Sequence, residues 1–148
     1  DGGDSQDILI GNRGNDHLKG GNDHDLLIGN RGSDHLIGVN PESSQPGSGE
    51  VDILLGNADA DTFILGDRNH VFYLGNGDSD FALIKDLSIN QGDIMQLSVN
   101  PSDYSLGTSS VVPFNHTAIF DSFNNDLIGV IKGNRNLNLS NSNQFIFV

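Results

Sequence analysis

Over residues 1–64 short apolar stretches alternate with longer polar ones, at a period of nine. A large apolar side chain recurs at Leu9, Leu18, Leu27, Leu36, Leu54 and Phe63. Two places before each stands an acid: Asp7, Asp16, Asp25, Asp34, Asp52 and Asp61. The units align as GGDSQDILI (2–10), GNRGNDHLK (11–19), GGNDHDLLI (20–28), GNRGSDHLI (29–37), GSGEVDILL (47–55) and GNADADTFI (56–64). The first six positions of each suit a turn, because Gly and Asn accept positive φ. The last three read as a very short strand. Such a strand cannot bury its own apolar side chain, but stacked copies can, if alternate units build two facing parallel sheets. The expected fold is all-β: a parallel β-roll over about 1–65, with the eighth residues filling the space between sheets.

From residue 62 the rhythm fades. TFIL, HVFYL, DFALIKDL, DIMQLSV, TAIF, LIGVI, LNL and QFIFV read as strands between Gly, Asn, Asp and Ser turns. A hairpin is expected between Thr117–Phe120 and Leu127–Ile131, and no stretch has helical periodicity. The expected role of 66–148 is a capping β region over the open end of the roll, whose last turns would otherwise present unpaired backbone.

The repeat carries its own electrostatic problem. Units two apart lie one above another at about 4.8 Å, so their carboxylates stack as well. At an effective dielectric near 20, two such charges repel by roughly 3 kcal/mol. Several pairs would consume most of a domain's stability of about 5–15 kcal/mol. A hard divalent cation with six or more oxygen ligands would relieve this, using two carboxylates and inward turn carbonyls. Calcium suits better than Mg²⁺, which sheds water reluctantly and demands a tighter octahedron.

Charge is uneven along the chain. Net charge is −13, and residues 1–80 hold 15 of the 20 acids but 4 of the 7 bases. An acidic first half argues against nucleic acid and anionic membranes as partners, since both need a basic patch. There is no Cys, which removes disulfides, thiol nucleophiles and Cys-based zinc sites. No apolar run has the length of a membrane span, and no signal peptide opens the chain. The sequence starts at Asp1, and a fragment or processed piece is the expectation.

The six units resemble the RTX nonapeptide G-G-x-G-x-D-x-U-x of secreted bacterial toxins, proteases, lipases and epimerases. The resemblance covers 2–37 and 47–64. It implies calcium between turns two units apart, held by the sixth-position Asp side chains and by carbonyls of the first four turn positions. Carried over, the first ion would take carbonyls of Gly2 and Asp4 with Gly21 and Asp23. The second would take Gly11 and Arg13 with Asn30 and Gly32. The sequence departs from the pattern at position four, with Ser5, Asp23, Glu50 and Asp59 in place of Gly. An acid there either adds a side-chain ligand or faces water. The segment from 62 onward resembles the C-terminal region that follows RTX units in many secreted, especially cyanobacterial-like, proteins. In the family the extreme C-terminus also addresses the chain to type I secretion. QFIFV has the short apolar ending, but no acid lies among the final residues.

GVNPESSQP (38–46) interrupts the rhythm, as a degenerate unit or as a loop bulging from one turn. Its length of nine keeps the phase and favours a unit. Two features favour the loop. A unit would put Gln45 inward, and a loop segregates the outward positions better. With a loop, one outer face is wholly apolar: Ile8, Ile10, Leu26, Ile28, Ile53 and Leu55. The other is mixed: His17, Lys19, His35, Ile37, Thr62 and Ile64. Cations would then bridge Asp7–Asp25, Asp16–Asp34 and Asp34–Asp61, with a distorted Asp25–Asp52 site beside the loop. Strands apolar on both faces are normally covered on both. The apolar face should therefore be covered by the C-terminal half, an upstream domain of the same protein or a second copy.

Other constellations carry less. His17 and His35 should stack on an outer face, as solvent-facing histidines or a transition-metal pair. His24 lies in a turn, and His70 and His116 have no evident partner in the sequence. Asp78 and Asp80 in GNGDSD offer one more calcium site or a surface turn. There is no H-E-x-x-H, no G-x-S-x-G, no phosphate-binding loop and no EF-hand loop. The expected function is that of a calcium-binding, non-catalytic, C-terminal module of a secreted protein, which folds when it meets extracellular calcium; any catalytic domain would lie upstream. A polysaccharide- or surface-binding module is the alternative, with Phe72, Tyr73 and Tyr104 as its only hints.

Overall fold

A computed structural model describes residues 1–133 and 136–148. Its strands are β1 (Ile8–Arg13), β2 (His17–Gly21), β3 (Leu26–Arg31), β4 (His35–Val39), β5 (Val51–Ala58), β6 (Thr62–Ile64), β7 (Phe81–Ile84), β8 (Ile94–Leu97), β9 (Tyr104–Gly107), β10 (His116–Asp121), β11 (Leu127–Lys132) and β12 (Phe145–Phe147). A single 3-10 turn at Pro101–Asp103 is the only helical element among the described residues. The molecule is all-β. One sheet runs β1-β3-β5-β7-β11-β10-β9 and the other β12-β8-β6-β4-β2.

The two sheets arise directly from the nine-residue period. Each turn carries the chain to the opposite sheet, so strands two units apart become parallel neighbours. The register aligns like with like: Leu9↔Leu27↔Leu54↔Ile84↔Ile131 in one sheet. Leu18↔Leu36↔Phe63↔Met95↔Phe145 is the matching ladder in the other. The interior rungs are fully buried, whereas Leu9 and Leu18 at the open end are partly covered. Each fully buried side chain of this size contributes about 1.5–3 kcal/mol. Both ladders run past residue 65 into β7, β11, β8 and β12, so the later strands continue the same sandwich of apolar side chains.

β5 lies beside β3, not β4. Residues 38–46 therefore bulge from one turn, and Gln45 is exposed. The expected hairpin of β10 and β11 forms, with a bulge between Ile119 and Phe120. Two expected strands do not form. HVFYL makes only an isolated bridge, Gly66↔Val71, and turns away at Tyr73, whose φ is +58°. Leu137 and Leu139 pack on the core from irregular backbone. β9 has no counterpart in the sequence reading.

The outer face of the seven-stranded sheet divides in two. Around β7 and β11 it is covered: Phe81, Leu127 and Val130 pack with Val112, Phe114 and Phe120. Around β1 it is bare, with Ile8 70% and Ile10 52% exposed. Leu26, Ile28, Ile53 and Leu55 are half-buried. Cover of this face by the C-terminal half is thus corrected. The 108–114 segment reaches only the strands nearest β11.

Candidate metal centres in the turns

Each turn presents its carboxylate in the same way. Asp7 N–H donates to Asp25 Oδ1 at 2.8 Å, and Asp25 N–H to Asp52 Oδ1 at 2.8 Å. On the other edge Asp16 N–H donates to Asp34 Oδ1 at 2.8 Å, and Asp34 N–H to Asp61 Oδ1 at 2.9 Å. One oxygen of each later carboxylate thus ties two rungs together. The other oxygen is left over, except at Asp52, where it accepts from the Tyr73 hydroxyl at 2.7 Å. Oδ2 of Asp7, Asp16, Asp25, Asp34 and Asp61 is buried and has no hydrogen-bond partner. A buried carboxylate oxygen left without a partner is strongly unfavourable.

What surrounds these oxygens identifies the missing partner. A Cβ added to Gly2 would stand 2.5 Å from Asp7 Oδ2 and 2.6 Å from the carbonyl oxygen of Gly20. At Gly11 the same two neighbours are Asp16 Oδ2 at 2.6 Å and Gly29 O at 2.8 Å. At Gly20 they are Asp25 Oδ2 and Gly38 O. In these turns the first glycine is needed for space, since its φ is ordinary and the cradle beside it is lined by oxygens; Gly47, with φ +82° and Tyr73 against it, is the exception. Only carboxylate and carbonyl oxygens converge there. Among the described residues no group of three or more His, Cys, Asp or Glu side chains could hold a metal. The donor set fits a hard, oxygen-seeking cation of calcium type and not a side-chain cage for zinc.

Positions two and four of the turns bend through positive φ. Gly3, Asn12, Gly21, Asn30 and Asn57 do so at position two; Ser5, Gly14, Asp23, Gly32 and Asp59 do so at position four. The acids at position four have a use that the sequence reading did not anticipate. Asp23 Oδ2 accepts from Ser5 N–H at 3.2 Å, and Glu50 Oε2 from Asp23 N–H at 2.8 Å. Asp59 Oδ2 accepts from Gly32 N–H at 3.1 Å. Each caps the position-four amide of the turn one rung before it. Asp4 accepts from Asn22 Nδ2 at 2.7 Å, and Arg13 pairs in register with Arg31.

The acid rows also extend beyond the residues picked from sequence. Asp93 Oδ1 accepts from Asp61 N–H at 3.1 Å, and its Oδ2 from Ser88 N–H at 2.7 Å. SINQGDIMQ (88–96) is therefore a further unit in space, with Asp sixth and Met eighth. It opens with Ser where the others have Gly, which hid it. Asp86 accepts from Gly56 and Asn57 N–H at 3.1 and 2.9 Å. Asp80 is buried, accepts from Gly49 N–H at 3.0 Å and leaves its Oδ1 without a partner; Asp78 is exposed.

Burial dominates the electrostatics of these acids. It pushes Asp61 and Glu50 up to about 7, with like charge from Asp93 and Asp52 respectively adding to it. Asp52 rises to about 6, and Asp25 and Asp93 also rise. Protein groups alone thus disfavour the ionised form of these five acids.

The remaining candidates resolve differently. His17 and His35 stack on the outer face with ring centroids 4.6 Å apart. Burial, then the neighbouring His17, lowers the His35 pKa. His24 Nδ1 accepts from Val51 N–H at 2.7 Å, His70 lies 3.7 Å from Asp67, and His116 meets Ser109 N–H and the Phe114 carbonyl. Phe72, Tyr73 and Tyr104 are core residues.

A two-sheet parallel coil with stacked carboxylates and oxygen-lined turn cradles defines a calcium-binding β-roll. Residues 1–36 match the RTX calcium-binding nonapeptide repeat, in four copies. Over this stretch the chain is similar to the RTX repeats, nonapeptides that bind Ca²⁺. No curated protein matches the chain. No described helix is long and apolar enough to cross a membrane.

Proposed function

We propose that the chain is a non-catalytic, calcium-triggered folding module of a secreted RTX-type protein, with a roll over 1–65 and a cap over 66–148. The observation that carries this reading is that five sixth-position Asp residues each have a buried carboxylate oxygen without a partner, aimed into a turn cradle. The ligands in this reading are the side chains of Asp7, Asp16, Asp25, Asp34 and Asp61, with carbonyls of the turn positions around them. Calcium bound there supplies the positive charge between stacked carboxylates; the chain's own part is to align the oxygens and exclude water.

Where free calcium is scarce, as in a bacterial cytosol, like charges hold the turns apart and the chain stays extended and exportable through type I secretion. Outside, extracellular modules bind calcium with affinities of about 10⁻⁴–10⁻³ M. Each independent site then adds roughly 0.4 kcal/mol when calcium equals Kd and about 1.4 at tenfold excess. Several coupled sites decide whether the roll exists. Circular dichroism at pH 7 tests this: excess chelator should abolish the β signal of the roll and calcium should restore it. A β signal indifferent to chelator would sink the mechanism. The bare patch around Ile8 and Ile10 serves, in the same reading, as the contact surface for an upstream domain of the same protein, with a second copy as the other occupant.

A further inference from the structure

The two rows of acids end differently. Along the first edge the carboxylates are Asp7, Asp25 and Asp52, and along the second Asp16, Asp34, Asp61 and Asp93. In the first row Oδ2 lacks a partner at Asp7 and Asp25, and in the second at Asp16, Asp34 and Asp61. The last acid of each row differs: Asp93 Oδ2 accepts from a backbone amide, Ser88 N–H, at 2.7 Å, whereas Asp52 is met by a side chain. Its Oδ2 accepts a 2.7 Å hydrogen bond from the hydroxyl of Tyr73.

The position of that hydroxyl is specific. Beside Gly2, Gly11 and Gly20 the cradle is lined by one Asp Oδ2 and by the carbonyl oxygen of the next turn's first glycine. Beside Gly38 it is lined by Asp52 Oδ2 and by the Tyr73 hydroxyl. The phenol stands where the next turn's carbonyl would be, but it brings a proton. A carboxylate that receives this proton has no oxygen left without a partner.

The insertion at 38–46 makes room for it. Tyr73 N–H donates to the carbonyl of Pro46 at 2.8 Å, and the ring lies against Gly47, where any Cβ would collide with it. The turn that holds Asp52 is thus parted between Gly38 and Gly47, and the ring enters through the gap. Tyr73 is fully buried and sits at φ +58°, a conformation that a bulky side chain keeps only where its surroundings hold it.

We propose that Tyr73 closes the first row of cation sites, so that the chain holds two ions along the first edge and three along the second. The residue sets where calcium binding stops, and it joins the cap to the roll through a hydrogen bond in place of an ion. This rests on the calcium reading above, and a calcium-loaded crystal of the full chain separates the two. Anomalous peaks are expected against Oδ2 of Asp7, Asp16, Asp25, Asp34 and Asp61, with Asp52 Oδ2 still bonded to Tyr73. A peak against Asp52 Oδ2, or only two peaks in the second row, overturns the assignment while leaving the calcium reading intact. No peak in any turn defeats the calcium reading itself.

A solution measurement gives an independent check. Tyr73→Phe keeps the ring but strands a buried carboxylate oxygen, so the calcium midpoint for folding should rise several-fold. Adding Asp52→Asn in that background should recover most of the shift, because no buried charge is then left without a partner. A Tyr73→Phe midpoint equal to the native one, or a shift that Asp52→Asn fails to relieve, overturns the role of the hydroxyl.

Discussion

At the scale of the residue, glycine does two separate jobs within one turn. Gly14 bends through φ +114° and has open space where a Cβ would stand. Gly11 has ordinary φ, but its missing Cβ leaves the cradle open between Asp16 Oδ2 and Gly29 O. Alanine at the two positions should therefore act differently. Gly14→Ala should cost about 1–2 kcal/mol, the penalty of an L residue in a left-handed conformation, with calcium stoichiometry unchanged. Gly11→Ala should remove one bound ion and raise the calcium midpoint several-fold. Titration calorimetry beside thermal melts would separate the two, and equal stoichiometries would refute the spatial role. The period of Gly, Asp and Leu made the six units legible from sequence, because each residue type has a local reason to stand where it does. Asp93 was hidden by Ser88 in the place of the first glycine. Tyr73 was hidden more deeply: its partner lies 21 residues away, and nothing local marks a tyrosine as the end of an ionic row.

At the scale of the element, the short strands have meaning only in stacks. A three-residue strand such as β6 is stable because Phe63 lies between Leu36 and Met95 in one ladder. Sequence showed the ladders as far as Phe63, where the period holds. Their continuation through Ile84, Met95, Ile131 and Phe145 escaped notice, because spacing in the later strands is irregular and only the sheet register reveals it. β9 escaped for a similar reason, since Tyr104–Gly107 is a short sequence whose strand character comes from pairing with β10. The exposed part of the outer face bears on partners. Ile8 and Ile10 have few neighbours to lose, so Ile8→Thr with Ile10→Thr should leave the melting of the isolated chain within about 0.5 kcal/mol of native. If a second copy covers the face, the native chain should sediment as a dimer and the double variant as a monomer. A loss of stability well above that, in a monomeric native chain, would show that the patch is covered from within the molecule in solution.

At the scale of the whole molecule, the acid rows couple fold, calcium and pH. Burial raises Asp61 and Glu50 to about 7 and Asp52 to about 6, from ordinary values of 3.8, 4.5 and 3.8. A carboxylate whose folded value is raised binds its proton more tightly in the fold than in the open chain. Stability then falls as pH rises wherever the folded state holds the extra proton. For these groups the penalty is absent below about 4, grows between about 4 and 7 and is complete above that. The calcium-depleted chain should accordingly melt at a higher temperature at pH 5 than at pH 8, the reverse of a protein whose carboxylates sit in salt bridges. Calcium removes the penalty by taking the place of the proton, so the gain in melting temperature on adding calcium should be largest above pH 7 and shrink toward pH 5. Depleting calcium by dialysis rather than chelator keeps the comparison free of the chelator's own pH dependence. A depleted chain whose melting temperature is flat from pH 5 to 8, or climbs with pH, would mean that the stacked carboxylates are not what keeps the empty roll from closing. The same physics would let one chain stay open at neutral pH where calcium is scarce and close where it is plentiful.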